Sequence, residues 1–223
     1  MENKASPTER EHTATSYFNL LADMGMTKHV GSLKATEEML QLCPIDADSL
    51  VLDVGCGPGA TPCYLVETYG CRVVGIDIVP KMIMRANELA HRRGMTAQCE
   101  FRVGDAQDLP FEDDTFDAVI VESVNVFLPD RSKAFGEYVR VTKPGGYVGM
   151  NETTWLERTP GAVDFMTGIG ADALIEAEWI ALFQEAGLLD IVAHAYPPNI
   201  REEAKGRIKR YGGMELFLSL IHI

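Results

Sequence analysis

The chain has 223 residues, 46% of them hydrophobic and 24% charged, enough to bury one sizeable core and too few to require a second domain. A formal charge of −13 repels the phosphates of nucleic acid, so a nucleic-acid partner is not expected. No 18-residue apolar run and no apolar leader stand in the sequence, so neither a membrane span nor a secretory signal is expected and the protein reads as cytoplasmic.

The elements follow in chain order. The stretch 17–43 reads as helix, loop, helix, with Ser32 as a cap for "LKATEEMLQLC". Five short runs rich in Val and Ile, bounded by turn residues, read as buried strands: "SLVLDV" (49–54), "CRVVGID" (71–77), "AQCEFRV" (97–103), "FDAVIVE" (116–122) and "GYVGMNE" (146–152). Helical patterns lie between or after them at 60–69, 80–93, 130–142 and 176–187, which is the alternation of an α/β protein with a mostly parallel sheet and helices on both faces. The stretch 154–174 is long, rich in Gly and Thr, and reads as a lid or substrate loop. "LLDIVAHAY" (188–196) reads as a sixth strand, and the tail from 201 as a basic helix with an apolar end. Cys43, Cys56, Cys63, Cys71 and Cys99 are odd in number and lack C-x-x-C spacing, so they read as reduced, mostly buried thiols rather than a disulfide or zinc framework.

One turn carries the chemistry. In "LDVGCGPGAT" (52–61), Gly55 and Gly57 with Ala60 satisfy the G-x-G-x-x-G/A spacing of a dinucleotide site, and Asp77 ends the next strand about twenty residues on. Asp53 argues against that reading, because a carboxylate beside a pyrophosphate is costly whereas one beside an ammonium is favourable. Asp77 suits a ribose diol. The expected ligand is therefore a nucleoside with a cationic, amino-acid-like end.

At this point the sequence resembles the class I S-adenosylmethionine-dependent methyltransferases, of the small-molecule type, over residues 50–152. "VLDVGCGPGAT", "VVGIDIVPKMI", "GDAQDLPFEDDTFDAVIV" and "VTKPGGYVGMNE" stand in the family's order. The resemblance implies a Rossmann-like, mostly parallel seven-stranded sheet whose last strand is missing or altered here, since only "ELFLSLIHI" could supply it and the chain reads as truncated. It implies that Gly55, Cys56 and Gly57 wrap the methionine moiety and that Asp53 anchors its amino group. Asp77 would bind the ribose, Ile78 would pack on the adenine, and Asp105 with the Ala106 backbone would meet the adenine amino group. Glu122, with Ser123 at the end of the fourth strand, would face methionine or acceptor. A weaker likeness of "MTKHVGSLKATEEML" to small-molecule methyltransferase lead-ins makes Lys28, His29 and Gly31 candidates for a lid, with Tyr17 behind them.

The domain plan expected is a helical lid segment at 1–45, a cofactor-binding core at 46–152, a substrate-lid insertion at 153–175 and the remainder at 176–223. The expected reaction is methyl transfer from S-adenosylmethionine to a small-molecule acceptor by in-line displacement, which needs alignment and dryness more than a metal. A general base enters only if the acceptor carries a proton, and His29, Glu122 and His194 are its candidates. Trp155, Phe165 and Met166 are candidates for an apolar acceptor pocket. An NAD-dependent oxidoreductase, a protein methyltransferase and a noncatalytic cofactor-binding module stay open as alternatives. Oligomeric state is not legible.

Overall fold

The computed structural model describes residues 16–20 and 33–195. After a helical turn at 16–20 come α1 (Leu33–Gln41), β1 (Leu50–Val54), α2 (Ala60–Tyr69), β2 (Arg72–Asp77), α3 (Pro80–Arg92), β3 (Cys99–Val103) and β4 (Phe116–Glu122). Then follow α4 (Arg131–Val141), β5 (Thr142–Asn151), β6 (Thr154–Trp155), α5 (Pro160–Gly168), β7 (Leu174–Ile175) and α6 (Glu176–Glu185). The main sheet is ordered β3-β2-β1-β4-β5, and every pairing in it is parallel.

Strand alternation divides the core between the two faces. Val51, Val73, Ala118 and Ile120 point to one side and meet Leu40 of α1, Cys63, Leu65 and Val66 of α2, and Ala86 and Ala90 of α3. Leu52, Val54, Val74, Ile76, Val119 and Val121 point to the other and meet Ala134, Phe135, Tyr138 and Val141 of α4 with Trp179 of α6. Burial on both faces is why these strands are nearly uninterrupted Val and Ile runs. Local chemistry sets the helix starts: Pro80 takes the first turn of α3, and the Asp130 side chain accepts from the Lys133 amide at the head of α4.

The five expected strands and the helices at 33–41, 60–69, 80–92, 131–141 and 176–185 form as read. All five cysteines are free and buried. One expectation changes: the sixth strand does not form over 188–195, and the main sheet has five strands among the described residues. Leu189 is 84% exposed there, and apolar, β-branched residues make a strand only where a neighbouring strand accepts them. Within 154–174, β6 and β7 pair in parallel, Thr154 with Leu174 and Trp155 with Ile175, and α5 fills the crossover between them. The expected strand "ELFLSLIHI", the tail helix, and Lys28, His29 and Gly31 lie outside the described residues.

Candidate active site

A parallel sheet aims all its strand exits at one edge, and ligands bind where the strand order reverses. Here the reversal lies between β1 and β4. Three acidic residues converge at that edge from adjacent strands: Asp53 in β1, Asp77 at the end of β2 and Glu122 at the end of β4.

Asp53 stands between Gly75 and Ile120 in the sheet register and is 2% exposed. Two residues later the chain turns through Gly55 at φ +72° and Gly57 at φ +52°, conformations that L side chains rarely adopt. Gly55 is also sterically required, since a Cβ there would lie 2.2 Å from Cγ2 of Val124. The turn after β4 is thus pressed against the turn after β1.

The amides of the glycine turn are largely committed within the protein. Cys56 N–H donates to the Ile76 carbonyl at 2.8 Å and Gly59 N–H to the Cys56 carbonyl at 3.0 Å, Gly57 N–H donates to Asp77 Oδ2 at 3.0 Å, and Pro58 has no N–H. A phosphate cradle works by offering such groups to the ligand; this one gives three of them to two carbonyls and a carboxylate. The dinucleotide spacing at Gly55 and Gly57 therefore occurs with the Cys56, Gly57 and Gly59 amides already taken by the protein.

Asp77 accepts from Val79 N–H through Oδ1 at 2.8 Å as well as from Gly57 through Oδ2. Each oxygen retains a lone pair for a further donor such as a hydroxyl. Burial raises its carboxyl pKa, and the two amide hydrogen bonds oppose that. Ile78 beside it is 53% exposed, an apolar surface at the sheet edge. The Cys56 thiol is pushed well above its usual range by burial and then by the charges of Asp53 and Asp77, so it is held neutral.

Asp105 closes a tight turn after β3: its Oδ1 accepts the Gln107 amide at 2.8 Å, and Ala106 is buried beneath it. The loop that follows is lashed to α4. Arg140 reaches the carbonyls of Phe111 at 2.7 Å and Leu109 at 3.0 Å, and Glu137 accepts the Leu109 amide at 2.7 Å.

Glu122 is buried and gathers three donors from three elements: Thr36 Oγ1 of α1 at 2.6 Å, Thr61 Oγ1 of α2 at 2.8 Å and Asn151 Nδ2 of β5 at 3.2 Å. Sequence reading found the carboxylate and missed this set, because Thr36 and Thr61 lie 86 and 61 residues away along the chain. Past it, Ser123 reverses the chain at φ +58°, and Glu152 holds the amides of Val124 and Asn125. Glu152 was not singled out by the sequence, where it reads only as the end of a strand.

The turn at 16–20 packs across the segments that follow β2 and β4. Phe18 meets Phe127, beyond β4, edge to face at 4.6 Å between ring centres, and Tyr17 stacks on the same ring at 6.4 Å. Both also pack on Val79 and Met82, beyond β2. Of the apolar trio expected to line a pocket, Trp155 and Met166 pack against the second core cluster while Phe165 is 61% exposed. His194 is exposed outside any helix or strand. No helix among the described residues is long and apolar enough to cross a membrane.

Residues 52–150 match the family described as Methyltransferase domain. The chain is 31% identical over 184 residues to an uncharacterized protein of Haemophilus influenzae, covering 78% of this chain and 72% of that one. It is 39% identical over 112 residues to the chloroplastic tocopherol O-methyltransferase of Arabidopsis thaliana, covering 50% of this chain but only 32% of the plant enzyme. The chain thus spans about a third of that relative. Geranyl diphosphate C-methyltransferase of Streptomyces coelicolor, solved with Mg2+, geranyl diphosphate and S-adenosyl-L-homocysteine, superposes with a TM-score of 0.77 over 96% of this chain and 93% of its own, at 16% identity; that likeness shows the fold alone. On the matched domain, the ordered motifs and the acidic switch point, the chain belongs to the class I S-adenosylmethionine-dependent methyltransferases.

Proposed function

We propose that this protein transfers a methyl group from S-adenosylmethionine to a small-molecule acceptor. The observation that carries this is the switch point itself: Asp53, Asp77 and Glu122 surround a glycine turn whose Cys56, Gly57 and Gly59 amides are already committed. Such a site repels a pyrophosphate and suits a ligand with a cationic end and a ribose. The same observation disfavours the NAD-dependent oxidoreductase.

S-adenosylmethionine supplies a sulfonium methyl that leaves by in-line displacement. The chain's own residues supply position. Gly55, Cys56 and Gly57 form the cradle for the methionine end, and Asp53 beneath them balances its ammonium. Asp77 takes the ribose diol on its remaining lone pairs. Ile78 covers one face of the adenine, and Asp105 with Ala106 marks its amino edge, on a loop kept rigid by Arg140 and Glu137. Glu122 accepts from three neutral donors on α1, α2 and β5; its role is to seat α1 against the sheet edge. The turn at 16–20 and the 153–175 segment act as covers that exclude water from the reacting atoms.

The acceptor is a small molecule on the strength of the relatives' names, which include a tocopherol O-methyltransferase. Incubating the full chain with methyl-labelled S-adenosylmethionine and a metabolite extract, then identifying the labelled product by mass spectrometry, tests this. Label on a small molecule supports it; label on protein redirects the reading to a protein methyltransferase. Calorimetry with S-adenosylhomocysteine and with NAD tests the cofactor separately. Binding of NAD alone overturns the charge argument, and binding of S-adenosylhomocysteine without turnover on any extract leaves a noncatalytic module.

A further inference from the structure

The turn after β4 is short and carries several contacts that define the cleft. Ser123 sends the chain back through a left-handed conformation, a strained state for a residue with a Cβ that persists only where neighbours hold it. Val124 follows and rests where Gly55 has no side chain. Asn125, fully buried, accepts from the Tyr138 hydroxyl at 3.0 Å and, through its carbonyl, from Arg131 Nε at 2.9 Å. The Val126 carbonyl accepts the Asp172 amide at 2.7 Å. Phe127 seats Tyr17 and Phe18.

The Glu152 side chain closes this turn. Its Oε2 accepts the amides of Val124 at 3.0 Å and Asn125 at 2.7 Å, and its Oε1 accepts the Thr153 amide at 3.1 Å. Two successive amides converging on one carboxylate oxygen leave the turn little freedom to rotate. We propose that Glu152, which lies past β5 and outside the cofactor cradle, is a positioning residue for cofactor binding: by gripping the Val124 and Asn125 amides it sets Val124 against Gly55 and Phe127 beneath the aromatic cover. The inference rests on the cofactor reading above.

Two properties distinguish this from ordinary support. The grip is electrostatic, so it strengthens when the carboxyl ionises. Burial pushes that carboxyl up to about 7, against the opposing pull of the amides, which places the change within the working range of pH. The nearby titratable groups are Tyr138 of α4, whose hydroxyl is raised by burial and then by Glu152 and Asp105, and Asp105 itself. Asp77, raised by its own burial, titrates at the same edge, so the pH response must be read against a Glu152 variant.

The test is calorimetric titration of S-adenosylhomocysteine into the full chain and into Glu152→Gln, from pH 6 to 8.5, with hydrogen exchange at the Val124 and Asn125 amides. The amide variant keeps the shape but turns an N–H donor toward one of the three backbone donors. The expected result is a loss of affinity of about 3- to 30-fold at pH 8, a size usual for residues that act through a neighbour. Faster exchange at both amides and a flatter pH dependence than the unmodified chain are expected with it. Equal affinity, equal exchange and an unchanged pH profile overturn the inference. If Glu152→Gln does not fold, Val124→Ala carries the test: it removes the methyl groups that meet Gly55, and unchanged affinity there overturns the inference. Absence of binding to the unmodified chain would instead sink the cofactor reading.

Discussion

Gly57 donates its amide to Asp77 Oδ2 across 3.0 Å, so the acid at the end of β2 organises the glycine turn after β1. Each needs the other: the carboxylate is brought out of water by burial, and the amide is one of the groups that compensates it. Ligand contact and loop shape therefore meet in one side chain. Asp77→Ala should lower S-adenosylhomocysteine affinity by at least tenfold, whereas Asp77→Asn, which keeps an acceptor oxygen, should lose less. Calorimetry on both variants checks this, and equal losses would mean that only charge matters.

Gly55→Ala meets two obstacles, the positive φ and the 2.2 Å approach to Val124. Combining it with Val124→Ala removes the collision and leaves the conformational cost of about 1 kcal/mol. The single variant should fall in stability by about 2–4 kcal/mol, and the double variant should recover part of that. Denaturant unfolding of the pair measures the coupling; strict additivity would contradict the contact.

The pH dependence of stability carries a sign. The Glu152 carboxyl lies at about 7 in the folded chain, above its ordinary value of 4.5, so the folded state holds this proton more tightly than the unfolded one. Its contribution is fully present below about 4.5 and is lost as pH rises through 7, up to about 3 kcal/mol. Relative to the unmodified chain, Glu152→Gln should gain stability between pH 5 and 8. Thermal unfolding of both proteins without ligand checks the difference, and parallel curves would refute it.

Cys56 lies in the candidate cradle but should be chemically quiet. Its thiol is buried and raised by that burial and by Asp53 and Asp77, and it is the thiolate that reacts. Iodoacetamide at pH 8 should leave it unlabelled in the folded chain and label it after denaturation, as peptide mass spectrometry would show.

Arg140 fastens the loop between β3 and β4 to α4 through the Leu109 and Phe111 carbonyls and through Glu137 and Asp113. Arg140→Ala should cost about 1–2 kcal/mol and speed hydrogen exchange over 105–115. Unchanged exchange in that loop would show that Asp105 is positioned without it.

β1, β2 and β4 were legible because burial on both faces leaves a composition, runs such as "VLDV" and "AVIVE", that few other structures share. Asp53, Gly55 and Asp77 were legible because their spacing is local to one strand–turn–helix–strand unit. Glu152 was not: its partners stand 27 and 28 residues back, and nothing in "MNETT" marks a carboxylate that will turn inward. The reading of 188–196 as a strand failed for the converse reason. "LLDIV" has strand composition, yet strand formation is decided by a neighbour, and Val192 is 59% exposed with no pairing partner among the described residues.

The all-parallel pairing of the main sheet also governs how the molecule is made. Among the described residues no hairpin joins any two of its neighbouring strands, and β1 finds β4 only when Val51 meets Ala118. Contacts of such long sequence separation form late and slowly, because the intervening chain must close first. The edge where β1 and β4 diverge cannot exist before that pairing does. A ligand for this cleft therefore recognises the completed sheet, and during refolding its binding should appear together with the final native signal rather than ahead of it.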